Sequence, residues 1–138
     1  MHDAAPRDAR VRRSQWPLQI TAVAFLVAGA LHFIVPAAYV AIMPPYLPSP
    51  LPLVLLSGLL EILGGAGLLV PSLRKVAGVG LIVLLVAVLP ANVEMLRQAN
   101  AREAGIFVQA VCWLRLPLQP LLMWWVWRVA ASGNDLSH

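Results

Sequence analysis

The chain has 138 residues, of which 60% are hydrophobic and 12% are charged, and its formal net charge is +4 at pH 7. A soluble domain has about 25% charged residues, so this chain has too few of them to cover a globule with a hydrated surface. The composition excludes a disordered chain, argues against a soluble enzyme and indicates one compact integral membrane unit.

Four stretches are apolar over the roughly 20 residues that an α-helix needs to cross the hydrocarbon core of a bilayer. They are residues 17–35, 51–70, 76–95 and 106–127. The sequence therefore predicts an all-α fold, an integral membrane four-helix bundle. The predicted transmembrane domain covers residues 17–128, between a basic tail at 1–16 and a C-terminal tail at 129–138.

The distribution of basic residues predicts the orientation, because cytoplasmic loops carry an excess of Lys and Arg. Seven of them lie at 1–16, at 71–75 or at Arg128, whereas the opposite side has Arg97 and Arg102. Both termini are therefore predicted to be cytoplasmic, in an inner (plasma) membrane. A cleaved signal peptide is the alternative, but the first apolar stretch has the length of a full span.

Several partners and cofactors are disfavoured by the same residues. The basic residues form no basic face with interleaved aromatics, so we expect no nucleic acid partner. The single cysteine, Cys112, excludes a Cys-x-x-Cys redox pair, and the sequence has no metal-ligand motif. The expected partners are membrane lipid and a second membrane protein or a second copy of the chain.

Six of the 12 prolines lie between Pro36 and Pro52, in a segment without charge. Proline lacks a backbone N–H and fixes φ, so we expect this outer loop to be extended, in a polyproline-type conformation. Its apolar side chains favour a cover across the outer ends of the helices. A stiff connector, with Tyr39 and Tyr46 as interfacial anchors, is the alternative.

Two charged side chains are predicted to lie deep within the spans, Glu61 in the second and Arg115 in the fourth. An ionised group at the bilayer centre costs at least about 2.5 kcal/mol, so we expect these two to form an ion pair. The helical neighbours of Glu61, three and four residues away, are all small: Ser57, Gly58, Gly64 and Gly65. Small residues allow close approach, either of another helix or of a ligand, and both interpretations stay open.

Each span contributes at least one polar side chain in the middle or outer half of the bilayer. Pro117 and Pro120 flank one of these side chains, Gln119, and predict a kink in the fourth span. The cluster matches no catalytic motif, so it predicts a place rather than a reaction and leaves open whether the protein is an enzyme. The predicted ligand-binding residues are His32, Tyr46, Glu61, Asn92, Arg115 and Gln119.

The same segments resemble the DoxX-like family of small four-helix membrane proteins. The resemblance extends over residues 17–128. The segments that carry it most clearly are 29–33, 43–48, 57–61, 64–65, 90–92 and 115–119. It implies a role near membrane oxidoreductases, because the family name derives from a thiosulfate:quinone oxidoreductase and some relatives are described as parts of such complexes. More remote relatives act as membrane chaperones or bind lipophilic ligands.

The predicted function is accordingly the binding of a small lipophilic ligand, a quinone or a lipid, in an intramembrane polar pocket, as an accessory part of an oxidoreductase system. A non-catalytic assembly factor or chaperone, in which the polar cluster only stabilises the bundle, is the alternative. A transporter is less favoured, because the two halves of the chain show no internal repeat.

Overall fold

A computed structural model describes residues 15–102 and 105–131, which form five α-helices. The helices are α1 (Trp16–Ile34), α2 (Pro36–Val40), α3 (Pro50–Leu69), α4 (Arg74–Ala101) and α5 (Ile106–Ala131). Most of the predicted basic tail, including its four arginines, lies outside the described residues, as does most of the C-terminal tail.

The long helices α1, α3, α4 and α5 are each long and apolar enough to cross a membrane, which confirms the predicted all-α fold with four spans. Two of them are longer than predicted. Helix α4 continues to Ala101 because its polar end is stabilised locally: Arg97 donates two hydrogen bonds to Glu94, three residues earlier on the same face. Helix α5 runs through Pro117 and Pro120 and ends at Ala131.

Helices α1 and α3 pack closely because glycines lie at their contact. A Cβ atom added to Gly29 would lie 2.6 Å from the carbonyl oxygen of Gly58, and one added to Gly65 would lie 2.9 Å from that of Ala22. The small residues around Glu61 are therefore largely used in helix packing, as small residues commonly are between membrane helices. This contact fixes the register of α1 against α3.

Helices α3, α4 and α5 share an apolar core with α1 on the side away from the outer loop. Leu68, Leu81 and Val126 are its largest fully buried side chains. Arg74 is also buried, and its Nε donates a hydrogen bond of 2.9 Å to the carbonyl oxygen of Leu68. The last carbonyl groups of a helix have no intrahelical N–H partner, and here Arg74 provides a charged donor to one of them at the end of α3.

The contact between α1 and α5, which we call the α1–α5 seam, is slight compared with the α1–α3, α4–α5 and α3–α4 contacts. One side-chain hydrogen bond crosses it, from Trp125 Nε1 to Thr21 Oγ1 at 2.9 Å. Thr21 in turn donates to the carbonyl oxygen of Pro17 at 2.7 Å. The seam is therefore held at the end remote from the outer loop.

We expect Trp125→Phe to lower the free energy of unfolding by about 0.5–1.5 kcal/mol, because it removes this hydrogen bond but keeps an aromatic ring. The measurement is denaturant unfolding in detergent, followed by circular dichroism. Trp127→Phe is the matched control, since Trp127 is exposed on the same helix. Equal destabilisation by the two substitutions would argue against a role for the hydrogen bond across the seam.

The expected polyproline conformation of the outer loop is wrong. Residues 36–40 form the short helix α2, and turns follow up to Ser49. A proline at the first position of a helix loses no intrahelical hydrogen bond, so Pro36 starts α2 and no further proline interrupts it. Beyond α2 the chain turns back on itself, with Leu47 N donating to Pro44 O at 3.1 Å.

Candidate functional site

A cavity of about 750 Å³ lies among the long helices and is closed in part by α2 and the turn that follows it. Its walls are mainly apolar and aromatic, with Phe25 on α1 and Trp124 and Trp125 on α5. A volume in the range of about 300–1,000 Å³, apolar walls and a few convergent polar groups are typical of small-molecule sites. The polar groups that line it are His32, Tyr39, Ser57, Glu61, Asn92, Arg115 and Gln119.

His32 and Glu61 meet at the α1–α3 contact, where both side chains are buried. The distance from His32 Nδ1 to Glu61 Oε2 is 3.6 Å, whereas Nδ1 lies 2.9 Å from the carbonyl oxygen of Ala28. The shorter distance is a hydrogen bond and the longer one is not. The Nδ1 hydrogen is therefore directed to Ala28, and the histidine lies beside the carboxyl group without donating to it.

Glu61 Oε2 is a buried side-chain oxygen without any hydrogen-bond partner in the described part of the chain. Glu61 as a whole is 9% exposed, and it lines the cavity. A buried polar atom that stays unpartnered costs about 1–3 kcal/mol, or more when it is charged. Such a carboxyl group at a cavity wall is the feature that a bound molecule with a complementary group would satisfy.

The expected ion pair between Glu61 and Arg115 is not formed. In the described residues the acidic and basic groups within 4.0 Å of each other are Glu94 with Arg97, and Glu61 with His32, which is an ion pair only when the histidine is protonated. Arg115 is exposed, but it lines the same cavity as Glu61. The depth of the two residues along their helices was enough to predict a shared site, but the direct contact depends on the rotation of α5, which hydropathy does not determine.

Asn92 and Gln119 form a hydrogen-bonded network between α4 and α5. Asn92 Nδ2 donates to Gln119 Oε1 at 2.9 Å, and Gln119 Nε2 donates to the carbonyl oxygen of Leu85. Leu85 lies five residues before Pro90, whose missing N–H removes the intrahelical hydrogen bond to the carbonyl oxygen of Val86, the next residue along α4. Both amides line the cavity, but much of their hydrogen-bonding capacity is used inside the protein.

Tyr46 does not line this cavity. It is 73% exposed and lies instead in a separate groove with Pro44, Pro45, Glu94 and Arg97. The prediction placed it in the site because it is the aromatic residue at the centre of the proline-rich segment. The chain turns at Pro44, which directs Tyr46 away from the cavity and toward α4.

Tyr39 is the aromatic residue of the outer loop that does line the cavity, and it was predicted only as an interfacial anchor. Its ring stacks on His32, with ring centroids 3.8 Å apart and an angle of 23° between the planes. Burial, and secondarily Glu61, raise the pKa of the Tyr39 phenol, so it stays protonated at neutral pH. Helical spacing could not have indicated this contact, because Val35, with φ −128° and ψ 53°, interrupts the helix between His32 and Tyr39.

The described residues contain no group of three or more His, Cys, Asp or Glu side chains that could hold a metal ion. The polar groups of the cavity are instead suited to hydrogen bonding. Glu61 offers an oxygen acceptor and Arg115 offers guanidinium donors, between walls that would surround an apolar body.

Four apolar helices of spanning length around a cavity with few polar groups are the features of a multi-pass helical membrane protein. Residues 21–130 match the family described as Domain of unknown function (DUF8561), and the chain belongs to that family. No curated protein and no solved structure matches the chain.

Proposed function

We propose that the protein binds a small lipophilic molecule with a polar head group, a quinone or a membrane lipid, in the cavity among its four spans. The observation that carries this proposal is the carboxyl group of Glu61, which lines a cavity of about 750 Å³ while its buried Oε2 has no hydrogen-bond partner in the described residues. A protein that needed Glu61 only to hold its helices together would be expected to satisfy both carboxyl oxygens internally.

The composition of the cavity wall supports a ligand that is mostly apolar. Aromatic side chains from α1 and α5 would pack against its body, while Glu61 and Arg115 would bind its polar end. Arginine presents five N–H donors and no acceptor, so it suits a carbonyl, hydroxyl or phosphate oxygen. Quinones and lipids both combine such oxygens with a long apolar part.

We further place the protein in the inner (plasma) membrane with both termini in the cytoplasm, because basic residues are concentrated on one side of the spans. An accessory role in an oxidoreductase system, and membership of the wider DoxX-like group, are supported by the resemblance of segments such as 29–33 and 57–61. The ligand site does not depend on either assignment.

The second candidate is a non-catalytic assembly factor whose polar residues stabilise the bundle. The Asn92–Gln119–Leu85 network favours it, because these groups are satisfied within the protein. The two candidates differ in what Glu61 and Arg115 do. An assembly factor needs them for stability, whereas a ligand-binding protein needs them for affinity.

The test is native mass spectrometry of the protein purified in mild detergent, with extraction and identification of the small molecules that remain bound. We expect Glu61→Leu and Arg115→Ala each to lower ligand affinity about 10- to 100-fold, since a hydrogen bond to a charged group contributes about 1.5–3 kcal/mol. The matched controls are Glu94→Leu and Arg102→Ala, which change a carboxylate and an arginine that do not line the cavity.

Retention of the ligand by both controls and its loss from both cavity variants would support the proposal. If the cavity variants hold the same molecules as the parent but unfold at lower temperature, the structural role is favoured instead. A parent protein that retains and binds neither quinones nor lipids would contradict ligand binding altogether.

A further inference from the structure

The unpartnered oxygen of Glu61 also specifies the head group of the ligand, if the proposed function is correct. We propose that this head group presents a hydroxyl to the carboxyl group of Glu61, so that the cavity prefers a lipophilic alcohol or phenol, such as a hydroquinone, over a molecule with carbonyl oxygens only.

Within residues 15–102 and 105–131, no hydrogen-bond donor reaches this oxygen, Glu61 Oε2. His32 is the nearest charged or ionisable partner, at 3.6 Å, but its Nδ1 is hydrogen-bonded to the carbonyl oxygen of Ala28 at 2.9 Å. A neutral imidazole carries one N–H, and the hydrogen on Nδ1 is already committed. A donor for the Glu61 carboxyl group is therefore expected from the molecule in the cavity that this residue lines.

A hydroxyl is the group that fits Glu61 in both of its protonation states. It donates to an ionised carboxylate, and it accepts from a protonated carboxyl group. A quinone carbonyl only accepts, so it fits the protonated form and leaves an ionised Glu61 facing another oxygen lone pair. The same logic applies to an ester or an ether, which also lack a donor.

Two other groups at the cavity are compatible with a flat, hydroxylated ring. The stacked rings of His32 and Tyr39 form one aromatic surface, and aromatic rings pack favourably in offset or edge-to-face arrangements. Arg115 lines the same cavity and supplies donors for a second oxygen of the head group. A hydroquinone has both oxygens and the ring, whereas a diacylglycerol has the hydroxyl without the ring.

The experiment compares ligands that have a free hydroxyl with capped forms, in which the hydroxyl is oxidised, methylated or acylated. Affinities are measured by calorimetric titration of the detergent-solubilised protein under anaerobic conditions. The first series is a short-chain hydroquinone, the corresponding quinone and the hydroquinone dimethyl ether. The second series is a short-chain diacylglycerol and the triacylglycerol formed by acylating it. We expect the hydroquinone to bind at least tenfold more tightly than its quinone and its dimethyl ether. Tighter binding of the diacylglycerol than of the triacylglycerol, with no binding in the first series, would assign the hydroxyl to a lipid.

Substitution of Glu61 tests whether this residue is the origin of the preference. A glutamine side chain can donate to a carbonyl and accept from a hydroxyl, so Glu61→Gln should bring the quinone and hydroquinone affinities within about threefold of each other. Glu61→Leu removes both capacities and should abolish the preference with a loss of overall affinity. Circular dichroism of each variant establishes that it is folded.

The possible outcomes separate this inference from the proposed function. Equal affinity for free and capped forms in wild-type protein would overturn the hydroxyl preference while supporting a lipophilic ligand site. A preference for the hydroxyl that survives in Glu61→Leu would overturn the role of Glu61. If no compound of either series binds, both the inference and the proposed function fail.

Discussion

Gly29→Ala is expected to destabilise the protein by about 1–3 kcal/mol, the usual cost of inserting a methyl group into a closely packed contact. The added Cβ would lie 2.6 Å from the carbonyl oxygen of Gly58 and 3.0 Å from the backbone nitrogen of Ile62. Neither backbone atom can move without displacing α3 as a whole. Association of membrane helices depends strongly on close packing, so separating α1 from α3 removes contacts along their whole length.

Gly80→Ala is the matched control for this prediction. A Cβ at Gly80 meets no atom within 4 Å, and alanine is a better helix former than glycine by about 1 kcal/mol. We therefore expect Gly80→Ala to be neutral or slightly stabilising. The measurement for both variants is unfolding by a denaturing detergent, followed by circular dichroism. Equal stability of the two variants would contradict the close α1–α3 contact.

Gln119→Leu is expected to lower the free energy of unfolding by about 1–3 kcal/mol, because it leaves the buried Asn92 amide without its partner and removes the side-chain hydrogen bond to the Leu85 carbonyl oxygen. Leucine is similar in size to glutamine, so the effect of a cavity is small and the loss reports mainly on the unsatisfied polar groups. Gln109→Leu, on the same helix and outside this network, is the control and should change stability by less than about 0.5 kcal/mol.

A double-mutant cycle with Asn92→Leu isolates the hydrogen bond between the two amides. Side-chain hydrogen bonds between membrane helices have coupling energies of about 0.6 kcal/mol on average, with a maximum near 1.7 kcal/mol. We expect the Asn92–Gln119 pair to lie in the upper part of this range, because both side chains are buried. Additive effects of the two substitutions would show that the amides act independently.

The spans could be predicted from the sequence because hydropathy and length alone define them. The predicted stretches begin within two residues of α1, α3, α4 and α5, since prolines at the starts of α1 and α3 and the basic pair at Arg74 mark the boundaries. The C-terminal ends of α4 and α5 were predicted less accurately than their starts. Helix α4 extends past the predicted end at residue 95 because Glu94 and Arg97 stabilise a polar turn that has no hydropathic signal.

The sequence was enough to predict which residues share a cavity, but not which of them contact each other. His32, Glu61, Asn92, Arg115 and Gln119 line one cavity, because polar groups of similar depth on adjacent helices are brought together by the bundle. The partners within the site depend on helix rotation, which the α1–α3 glycine contact sets and which single-sequence patterns do not report. Glu61 therefore lies beside His32 rather than pairing with Arg115.

The slight contact between α1 and α5 has a consequence for how the proposed ligand would reach the cavity. Both helices line it, and the seam between them is bridged by the single hydrogen bond from Trp125 to Thr21. A molecule dissolved in the acyl chains would meet this seam sideways, without first leaving the bilayer for water. Its concentration in the membrane, which for an apolar compound far exceeds that in solution, would then determine how full the site is.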